Sequence, residues 1–533
     1  MHFEYLSAIM IGELSLRLSP EVAFNEKKLK KAIASILSVE DRDLNFMKVT
    51  RRSIDARKKN VVVNMTVIYS TGNDRYPFTE PLKRNYAKVA KDAPVVLIVG
   101  FGPAGLFAAL RAIEKGIKPI VFERGSKIEE RRKIIADISR KGVVDEDSNY
   151  CFGEGGAGTY SDGKLYTRSK KRGDNKGVLE ILCQFGAPED ILTDSHPHIG
   201  SDKLPGIIKN IREEILKAGG EIHFDTKITD IVVEGNEAKG VITQKGDFYE
   251  GPVILATGHS AKDIYKLLDK KNIRLEAKGF AMGVRLEHPR YLIDKLQYHS
   301  SDQIQYLPAA EYNFTTQIDG RGVYSFCMCP GGVIVPSMSS PQESVVNGMS
   351  ASARSGKWSN SAIVVQILPE DILQDTSEPL KLLEFQESQE KKFYEAAEKT
   401  LKAPAQRMTD FVNGKTSESL PSVSYAPGVI SCRVDEILPS HISERLKKGF
   451  QEFDKKCNGF LSDEAVVIGL ESRTSSPVRI PRDKETLEHI EIKNLYPAGE
   501  GSGYSGGIVS SAIDGTRCVD SYLTKIKQNG CNN

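Results

Sequence analysis

The sequence predicts an α/β fold with three parts: a discontinuous nucleotide-binding domain, an α+β domain inserted into it and a small α+β domain before it. Three separated segments, residues 95–124, 253–263 and 495–515, predict this arrangement. Together they describe one open parallel sheet that the chain leaves and re-enters. A glycine fingerprint alone is a weak signal, whereas the same fingerprint followed by two return segments is a specific one.

The first segment has the pattern of a Rossmann-like dinucleotide site. Val95–Val99 is an unbroken apolar run, which is typical of a parallel strand buried on both faces. Gly100, Gly102 and Gly105 follow in the G-x-G-x-x-G spacing. The first glycine permits a tight turn, the second lets the backbone approach a pyrophosphate, and the third lets a helix pack closely on the strand. The helix predicted over residues 103–115 directs its N-terminal amides at the phosphates.

A second strand, predicted over residues 119–122, ends at Glu123. An acidic side chain at this position is placed to accept hydrogen bonds from the ribose hydroxyls of an adenosine. The second segment, VILATG, returns the chain to the sheet and ends with the small residues Thr257 and Gly258. They allow close backbone contact near the adenine and pyrophosphate, although an ordinary strand end is the alternative for these residues taken alone.

The third segment closes the domain. After a predicted strand, Gly499 and Glu500 lie where an acidic residue meets the ribityl or pyrophosphate part of the cofactor. Gly506 and Gly507 then precede a helix predicted over residues 508–526. A helix N-terminus under the pyrimidine end of a flavin stabilises the negative charge of the reduced ring. This segment therefore favours FAD as the dinucleotide.

Residues 153–168, GEGGAGTYSDGKLYTR, contain five glycines together with Thr159, Ser161, Asp162 and Lys164. A loop of this composition contributes nothing to a hydrophobic core, which favours a role in holding a ligand. We expect it beside the ribityl chain and the isoalloxazine ring. A flexible surface loop is the alternative.

The three segments resemble the FAD domain shared by glutathione-reductase-type and aromatic-hydroxylase-type flavoproteins. The longer motifs GEGGAGTYSDGKL, ATGHSAKD, YSFCMCPGG, SARSGKWSNSA and AGEGSGYSGGIVSSAIDG resemble a bacterial family of FAD-dependent proteins described broadly as NAD(FAD)-utilising dehydrogenases. The resemblance covers the whole chain, including RRSIDARKK near its start. It implies FAD binding and leaves the reaction open. The predicted FAD-binding residues are Gly100, Gly102, Pro103, Ala104, Gly105, Glu123, Arg124, Gly156, Gly158, Thr159, Ser161, Asp162, Gly163, Lys164, Lys227, Ile228, Thr257, Gly258, Gly499, Glu500, Gly506, Gly507 and Ile508.

The chain length of 533 residues suggests about three domains. We predict a small α+β domain over residues 1–93, a ferredoxin-like or similar βαββ plait, joined by a linker at 74–94. The FAD-binding domain comprises residues 94–264 and 465–533, and the inserted substrate or cap domain comprises residues 265–464.

Composition is ordinary for a globular protein, with 40% hydrophobic and 27% charged residues. The net charge of +2 argues against a nucleic-acid partner or an anionic membrane surface. Residues 1–94 are more basic, with 17 Lys and Arg against 11 Asp and Glu. Much of this excess comes from Arg51, Arg52, Arg57, Lys58 and Lys59, which are interpreted as a solvated strand and turn.

The N-terminal sequence, MHFEYLSAIMIGELS, lacks the cationic stretch and apolar core of a signal peptide. No apolar run approaches the ~20 residues needed to cross a bilayer. Eight cysteines in a chain of this length do not indicate a disulfide framework. A cytoplasmic location is therefore expected.

Reactive side chains are harder to assign. Cys327 and Cys329 form a C-x-C pair that is either redox-active or simply packed on one face of a strand. Cys329, Glu471 and Arg473 are the candidate catalytic residues, and the basic residues near Arg473 and Arg479 either hold an acidic group or form structural salt bridges. Further candidates in the inserted domain are Arg285, Glu287 and His288, and the spacing of His196, His198 and His259 indicates no metal site.

Two functions fit these observations. The first is a FAD-dependent oxidoreductase that passes hydride between flavin N5 and a small organic substrate. No second G-x-G-x-x-G follows a predicted strand to form a nicotinamide-nucleotide domain, so NAD(P)H would bind only transiently in the substrate cleft. The alternative is a flavoprotein of RNA modification whose basic N-terminal domain docks RNA, which would show as salt-sensitive binding. The oligomeric state stays open.

Overall fold

A computed structural model describes residues 10–71, 81–166, 173–299, 301–373 and 378–530. The predicted linker at 74–94 and the glycine-rich segment at 153–168 lie partly outside these residues. The N-terminal unit is a three-stranded antiparallel sheet with two helices on one side. Its strands, in spatial order, are Ile11–Leu18, Val62–Thr71 and Leu44–Asp55, and its helices are Pro20–Ala23 and Glu26–Leu37. The β-α-β-β order that the sequence predicts is therefore present.

The centre of the nucleotide-binding part is a five-stranded parallel sheet. In spatial order its strands are Leu495–Pro497, Val253–Leu255, Val95–Val99, Lys118–Phe122 and Glu221–His223. The fingerprint strand lies in the middle, and the strands of the two return segments lie next to it on one side. The predicted α/β, Rossmann-like and discontinuous fold class is confirmed.

Helices cover this sheet because their apolar faces need a partner. Pro103–Glu114 and the long C-terminal helix Ile508–Gly530 pack against each other and share one hydrophobic core with the sheet. A small antiparallel sheet flanks the domain, with strands Ile228–Glu234, Glu237–Thr243 and Phe248–Glu250. The other helices of this part are Ile128–Lys141, Asn175–Gln184, Leu204–Lys217 and Lys262–Lys270, with short 3₁₀ turns at Gly156–Gly158 and Glu189–Leu192.

A mostly antiparallel seven-stranded sheet forms the second large layer. Its strands, in spatial order, are Thr315–Ile318, Arg321–Cys329, Trp358–Ile367, Phe280–Pro289, Val466–Glu471, Ala403–Arg407 and Val429–Ser431. Val466–Glu471 pairs with Phe280–Pro289 and Ala403–Arg407, so it belongs to this sheet and not to the FAD-binding part, in which the sequence placed it. Its continuous apolar run suits a central strand of either sheet, and only the pairing partners distinguish the two.

The remaining strands and helices surround this sheet. Two small two-stranded ladders pair Glu276–Ala277 with Val478–Arg479 and Val333–Pro336 with Val346–Met349. The helices are Arg290–Tyr298, Ser301–Ile304, Lys381–Ala396, Met408–Asn413, Val434–Ile437 and Ser440–Lys456, with a 3₁₀ turn at Pro369–Asp371. Among the described residues, no helix is both long enough and apolar enough to span a bilayer.

Candidate functional site

A cavity of about 570 Å³ lies at the carboxyl ends of the parallel strands. Residues directly after three strands form one wall, namely Gly100, Ala256 and Ala498. Ligands of open α/β sheets bind at this edge, in the crevice outside the strand ends. All predicted FAD-binding residues line the cavity except Gly105 and Thr159.

Two fingerprint glycines are required by close backbone packing. Gly100 has φ +99°, and a Cβ atom there would lie 2.5 Å from the carbonyl oxygen of Ala256. A Cβ on Gly105 would lie 1.9 Å from the carbonyl oxygen of Gly100. Gly105 therefore sets the distance between helix and strand and takes no part in the cavity wall, as the fingerprint predicts for its third glycine.

The middle glycine, Gly102, meets the cavity itself. It is the N-cap of Pro103–Glu114 and provides no side chain to cap the first-turn amides. A Cβ at Gly102 would have only one neighbour within 4 Å, the Cα atom of Gly156 at 3.8 Å. The wall therefore offers bare backbone and a positive helix terminus, which is the arrangement that binds a pyrophosphate.

Glu123 lines the cavity but has a further role that the sequence did not predict. Its carboxylate accepts hydrogen bonds from three backbone amides, those of Phe101 at 2.8 Å and of Gly125 and Gly153 at 3.0 Å each. A carboxylate has about four acceptor positions, so about one is left for a ribose hydroxyl. Glu123 thus holds together the turns that surround the adenosine end.

Arg124 and Lys227 lie together at this end of the cavity. Arg124 donates two hydrogen bonds to Asp263, at 3.0 and 2.6 Å, and its guanidinium lies 4.4 Å from the ring centroid of Phe152. Lys227 lies 3.6 Å from the same carboxylate. Asp147 lies 3.1 Å from Arg124 and 3.3 Å from Lys227, so two cations and two anions balance here. An adenine ring can stack on an arginine side chain held in this way.

The glycine-rich loop is held from behind by Arg131, a residue that sequence reasoning missed. This side chain is fully buried and donates hydrogen bonds only to groups of the loop and of the turn before it. Its acceptors are the backbone carbonyls of Asn149, Tyr150, Gly153, Glu154 and Gly156, at 2.7 to 3.2 Å. An arginine with five donors is suited to fixing a segment that has no regular secondary structure.

Thr159 belongs to this same buried network and does not line the cavity, so its contact with the cofactor stays a prediction. Its hydroxyl donates to the carbonyl of Glu154 at 2.9 Å, accepts from Arg131 at 3.3 Å and has no exposed surface. The loop that the glycine pattern singled out lies at the cavity wall, but the pattern could not show which polar side chains point inward.

The second half of the loop carries an ion network at the cavity wall. Asp162 is buried and accepts from Lys164 at 2.6 Å and from Arg354 at 3.0 Å. Arg354 also donates to Glu311 at 2.7 Å, and Lys164 donates to the carbonyl of Met328. Because the two acidic and two basic groups balance, this part of the wall positions Ser161–Lys164 and carries no net charge.

Glu500 and His259 are among the polar side chains of the wall that make no hydrogen bond to another described residue. Glu500 lines the cavity, and burial raises the pKa of its carboxyl to about 7 although Lys278 opposes the shift. His259 also lines it, and burial with the nearby Arg473 lowers the pKa of its imidazole to about 4. Buried polar groups require partners, so both are suited to hydrogen bonding with a ligand.

The candidate catalytic residues separate in the structure. Cys329 and Glu471 are buried away from the cavity, Glu471 lying 3.3 Å from the guanidinium of Arg285, and burial raises the pKa of Glu471 to about 7. Only Arg473 lines the cavity, and in place of Cys329 the wall contains Cys327. Further wall residues that sequence reasoning missed include Asp263, Phe326, Asn347 and Thr474. A signal existed for some of them in the quoted motifs ATGHSAKD and YSFCMCPGG.

Arg473 is neutralised by its neighbours. It donates to Glu343 and Glu390, at 2.5 and 3.1 Å, and Lys262 lies 2.8 Å from both of these carboxylates. Two cations and two anions leave no excess positive charge for an acidic ligand. The sequence left two alternatives for this region, an anion-binding group or a structural salt bridge, and Arg473 forms a structural salt bridge.

Glu287 lies outside the cavity wall and gives a test of the electrostatics of the seven-stranded sheet. It accepts a hydrogen bond from the Ser424 amide at 2.7 Å, and burial raises the pKa of its carboxyl from 4.5 to about 7. The folded state thus binds the Glu287 proton more tightly than the unfolded state does. The contribution of this proton to the free energy of unfolding is complete below about pH 4.5 and is lost as pH rises through about pH 7. As pH rises, the wild type should lose at most about 3 kcal/mol of its free energy of unfolding through this carboxyl, and Glu287→Gln should not show this loss.

Calorimetric Tm values between about pH 5 and about pH 8 measure this effect. The Tm of the wild type should fall more steeply with rising pH than that of Glu287→Gln. Glu418→Gln, at an exposed carboxyl, is the control and should follow the wild type. Equal slopes for wild type and Glu287→Gln would contradict the assignment.

Part of the basic cluster of the N-terminal sheet is paired with acids. Arg52 donates to Asp194 at 2.7 and 3.1 Å, and Arg57 donates to Asp55 at 2.8 Å. The Arg52 pair joins the N-terminal sheet to the segment before Leu204–Lys217. RNA docking by this domain stays a prediction.

Comparison with known proteins shows the family to which the chain belongs. Residues 279–474 match the family described as FAD-dependent protein, C-terminal domain-like, and residues 10–70 match a domain of unknown function, DUF8436. An uncharacterised protein of Clostridium beijerinckii is 39% identical over 537 residues, which cover 97% of this chain and 99% of that protein. The chain belongs to the family of this clostridial protein. The match over residues 279–474 supports FAD as the cofactor of the cavity.

Solved structures are similar at low identity. A geranylgeranyl bacteriochlorophyll reductase-like protein of Thermoplasma acidophilum is 12% identical, with a TM-score of 0.33 over 82% of this chain and 80% of that one. Glycine oxidase of Bacillus cereus is 15% identical, with a TM-score of 0.31 over 81% of this chain and 95% of that one.

Proposed function

We propose that this protein is a FAD-dependent oxidoreductase that transfers hydride between FAD and a small organic substrate, with NAD(P)H as a transient co-substrate. One observation carries the proposal. The cavity that begins at the nucleotide fingerprint continues to residues of the second layer, including Phe326, Cys327 and Asn347. A dinucleotide held at one end would therefore present its other end to a second wall, which leaves space for a reactant between them.

The residues of the wall fit FAD. The helix that begins at Pro103 directs free first-turn amides to the position of a pyrophosphate. Glu123 retains an acceptor for a ribose, and Glu500 and His259 supply polar groups that have no protein partner among the described residues. FAD supplies the capacity to accept and donate hydride at its isoalloxazine ring, and the protein supplies position and electrostatics.

The N-terminus of a second helix is expected to lie beside the other end of the cofactor. Gly506, Gly507 and Ile508 line the cavity and lead into Ile508–Gly530. The positive end of this helix stabilises negative charge that develops nearby. We infer that these amides favour the reduced form of the ring.

The reacting group is expected to be uncharged, because the ions of the wall are balanced. Arg473 and Lys262 are offset by Glu343 and Glu390, and His259, with its lowered pKa, is neutral at pH 7. The neutral dihydronicotinamide ring of NAD(P)H meets this requirement, whereas a substrate carboxylate would find no uncompensated cation here.

Anaerobic titration of the FAD-loaded protein with NADPH and then NADH tests the proposal. We expect one of them to bleach the flavin absorbance to the same end point as dithionite, which is the control for full reduction. A protein that dithionite reduces and neither nucleotide reduces would contradict the role of NAD(P)H. Substrate screening would then turn to other donors.

A further inference from the structure

Cys327 and Cys329 differ in their access to the cavity. Cys327 is partly buried and lines the cavity beside Phe326, whereas Cys329 has no exposed surface and lies behind it. Both belong to the strand Arg321–Cys329. The thiol of Cys327 therefore lies at the ligand space, whereas the thiol of Cys329 does not line it.

The strand is irregular at this pair. Its register with Trp358–Ile367 shifts between Phe326 and Cys329, and Cys327 has φ +45°, a left-handed conformation that is rare without glycine. The bulge breaks the regular alternation of side chains, and the thiol of Cys329 donates a hydrogen bond to the carbonyl oxygen of Cys327 at 3.5 Å. Strained backbone conformations of this kind are concentrated at functional sites.

Arg285 holds the pair in place. Its Nη2 donates to the carbonyl oxygen of Cys327 at 2.7 Å and to Sγ of Cys329 at 3.2 Å. A buried guanidinium stabilises a thiolate beside it. The neighbouring Cys329, together with Arg285 and Lys164, lowers the pKa of Cys327, whereas the pKa of Cys329 is raised. Cys327, which alone of the pair lines the cavity, is the thiol within reach of a ligand there.

A third cysteine of the wall lacks these features. Sγ of Cys151 lies 3.4 Å from Arg473 and 3.5 Å from the carbonyl of Ser337, and among the described residues it contacts no second thiol. Only the pair at 327 and 329 combines two thiols, a cation and access to the cavity in the described part of the chain.

We propose that Cys327 and Cys329 form a dithiol–disulfide couple that exchanges two electrons with the cofactor ring, an inference that rests on the proposed function. When the two thiols form the disulfide bond they lose two electrons and two protons. The oxidised isoalloxazine takes up both electrons and one proton, and the second proton passes to solvent. The reverse reaction reduces the disulfide at the expense of reduced FAD.

Counting electrons and thiols in the full-length, FAD-loaded protein tests this couple. Air-oxidised wild type should consume twice the dithionite that its FAD content requires, and in denaturant it should show two fewer thiols than after reduction. The total available is the eight cysteines of the chain. Cys327→Ser and Cys329→Ser should each consume only the dithionite that FAD requires. Cys432→Ser, at a half-buried cysteine outside the cavity wall, is the control and should behave as wild type.

The outcomes separate the two proposals. If Cys329→Ser fails to fold, Cys327→Ser at the partly exposed position still gives the result. A protein that retains FAD, shows all its thiols after air oxidation and consumes only the dithionite of its FAD overturns the couple and leaves the oxidoreductase proposal intact. A folded protein that retains no FAD contradicts the proposed function itself, and with it the flavin as the partner of the pair.

Discussion

Gly102→Val is expected to abolish FAD retention while the chain stays folded. A side chain at Gly102 meets only the Cα atom of Gly156, at 3.8 Å from its Cβ, so the protein accommodates it. Its methyl groups instead occupy the space that we assign to the pyrophosphate. Overlap of this kind costs about 2–3 kcal/mol, or about 30- to 150-fold in Kd. Fluorescence titration with FAD measures the Kd, and circular dichroism with Tm of the protein without FAD reports the fold.

Gly206→Ala is the matched control. Gly206 lies within the helix Leu204–Lys217, and a Cβ there meets nothing within 4 Å. This variant should keep the FAD affinity and gain about 0.5–1 kcal/mol of stability. A Gly102→Val protein that binds FAD as tightly as wild type would show that the fingerprint wall does not hold the pyrophosphate.

Arg131→Met is expected to destabilise the protein and to weaken FAD binding at the same time. Removing the guanidinium leaves five buried carbonyl groups without a donor, and each unpaired group costs about 1–3 kcal/mol before relaxation. Because relaxation and water recover part of this, we expect a net loss of about 3–5 kcal/mol. Released from Arg131, the loop at Gly156 no longer presents a fixed wall to the cofactor.

Arg132→Met changes the neighbouring residue of the same helix, where the side chain is exposed. It removes the same charge and leaves the loop contacts intact, so Tm and FAD content should match wild type. Calorimetric Tm and the flavin-to-protein absorbance ratio are the two readouts. An Arg131→Met protein with unchanged Tm and full FAD content would show that the hydrogen bonds to the loop are dispensable.

The sequence was most informative where the backbone itself forms the site. Gly100 and Gly105 are required by close packing, and Gly102 by the cavity wall, so residue type alone indicates their roles. The strand Val95–Val99 was predicted to the residue because a parallel strand buried on both faces needs an unbroken apolar run. These requirements are local, and they can be identified without knowledge of the rest of the chain.

Side-chain direction and sheet membership could not be predicted in the same way. Thr159 faces inward because a helix distant in sequence supplies Arg131, and nothing in the loop specifies that partner. Val466–Glu471 is apolar enough for either sheet, and long-range pairing decides where it lies. The interpretation of Cys327 and Cys329 assumed regular alternation along a strand, which the bulge at that position breaks.

The most direct test of the proposed function is the flavin content of the purified wild type after incubation with FAD and desalting. The structure predicts bound flavin at one FAD per chain, with an absorbance that dithionite bleaches and air restores. A protein that is folded by circular dichroism and carries no flavin would contradict the assignment of the cavity, and the reaction proposed there would fail with it.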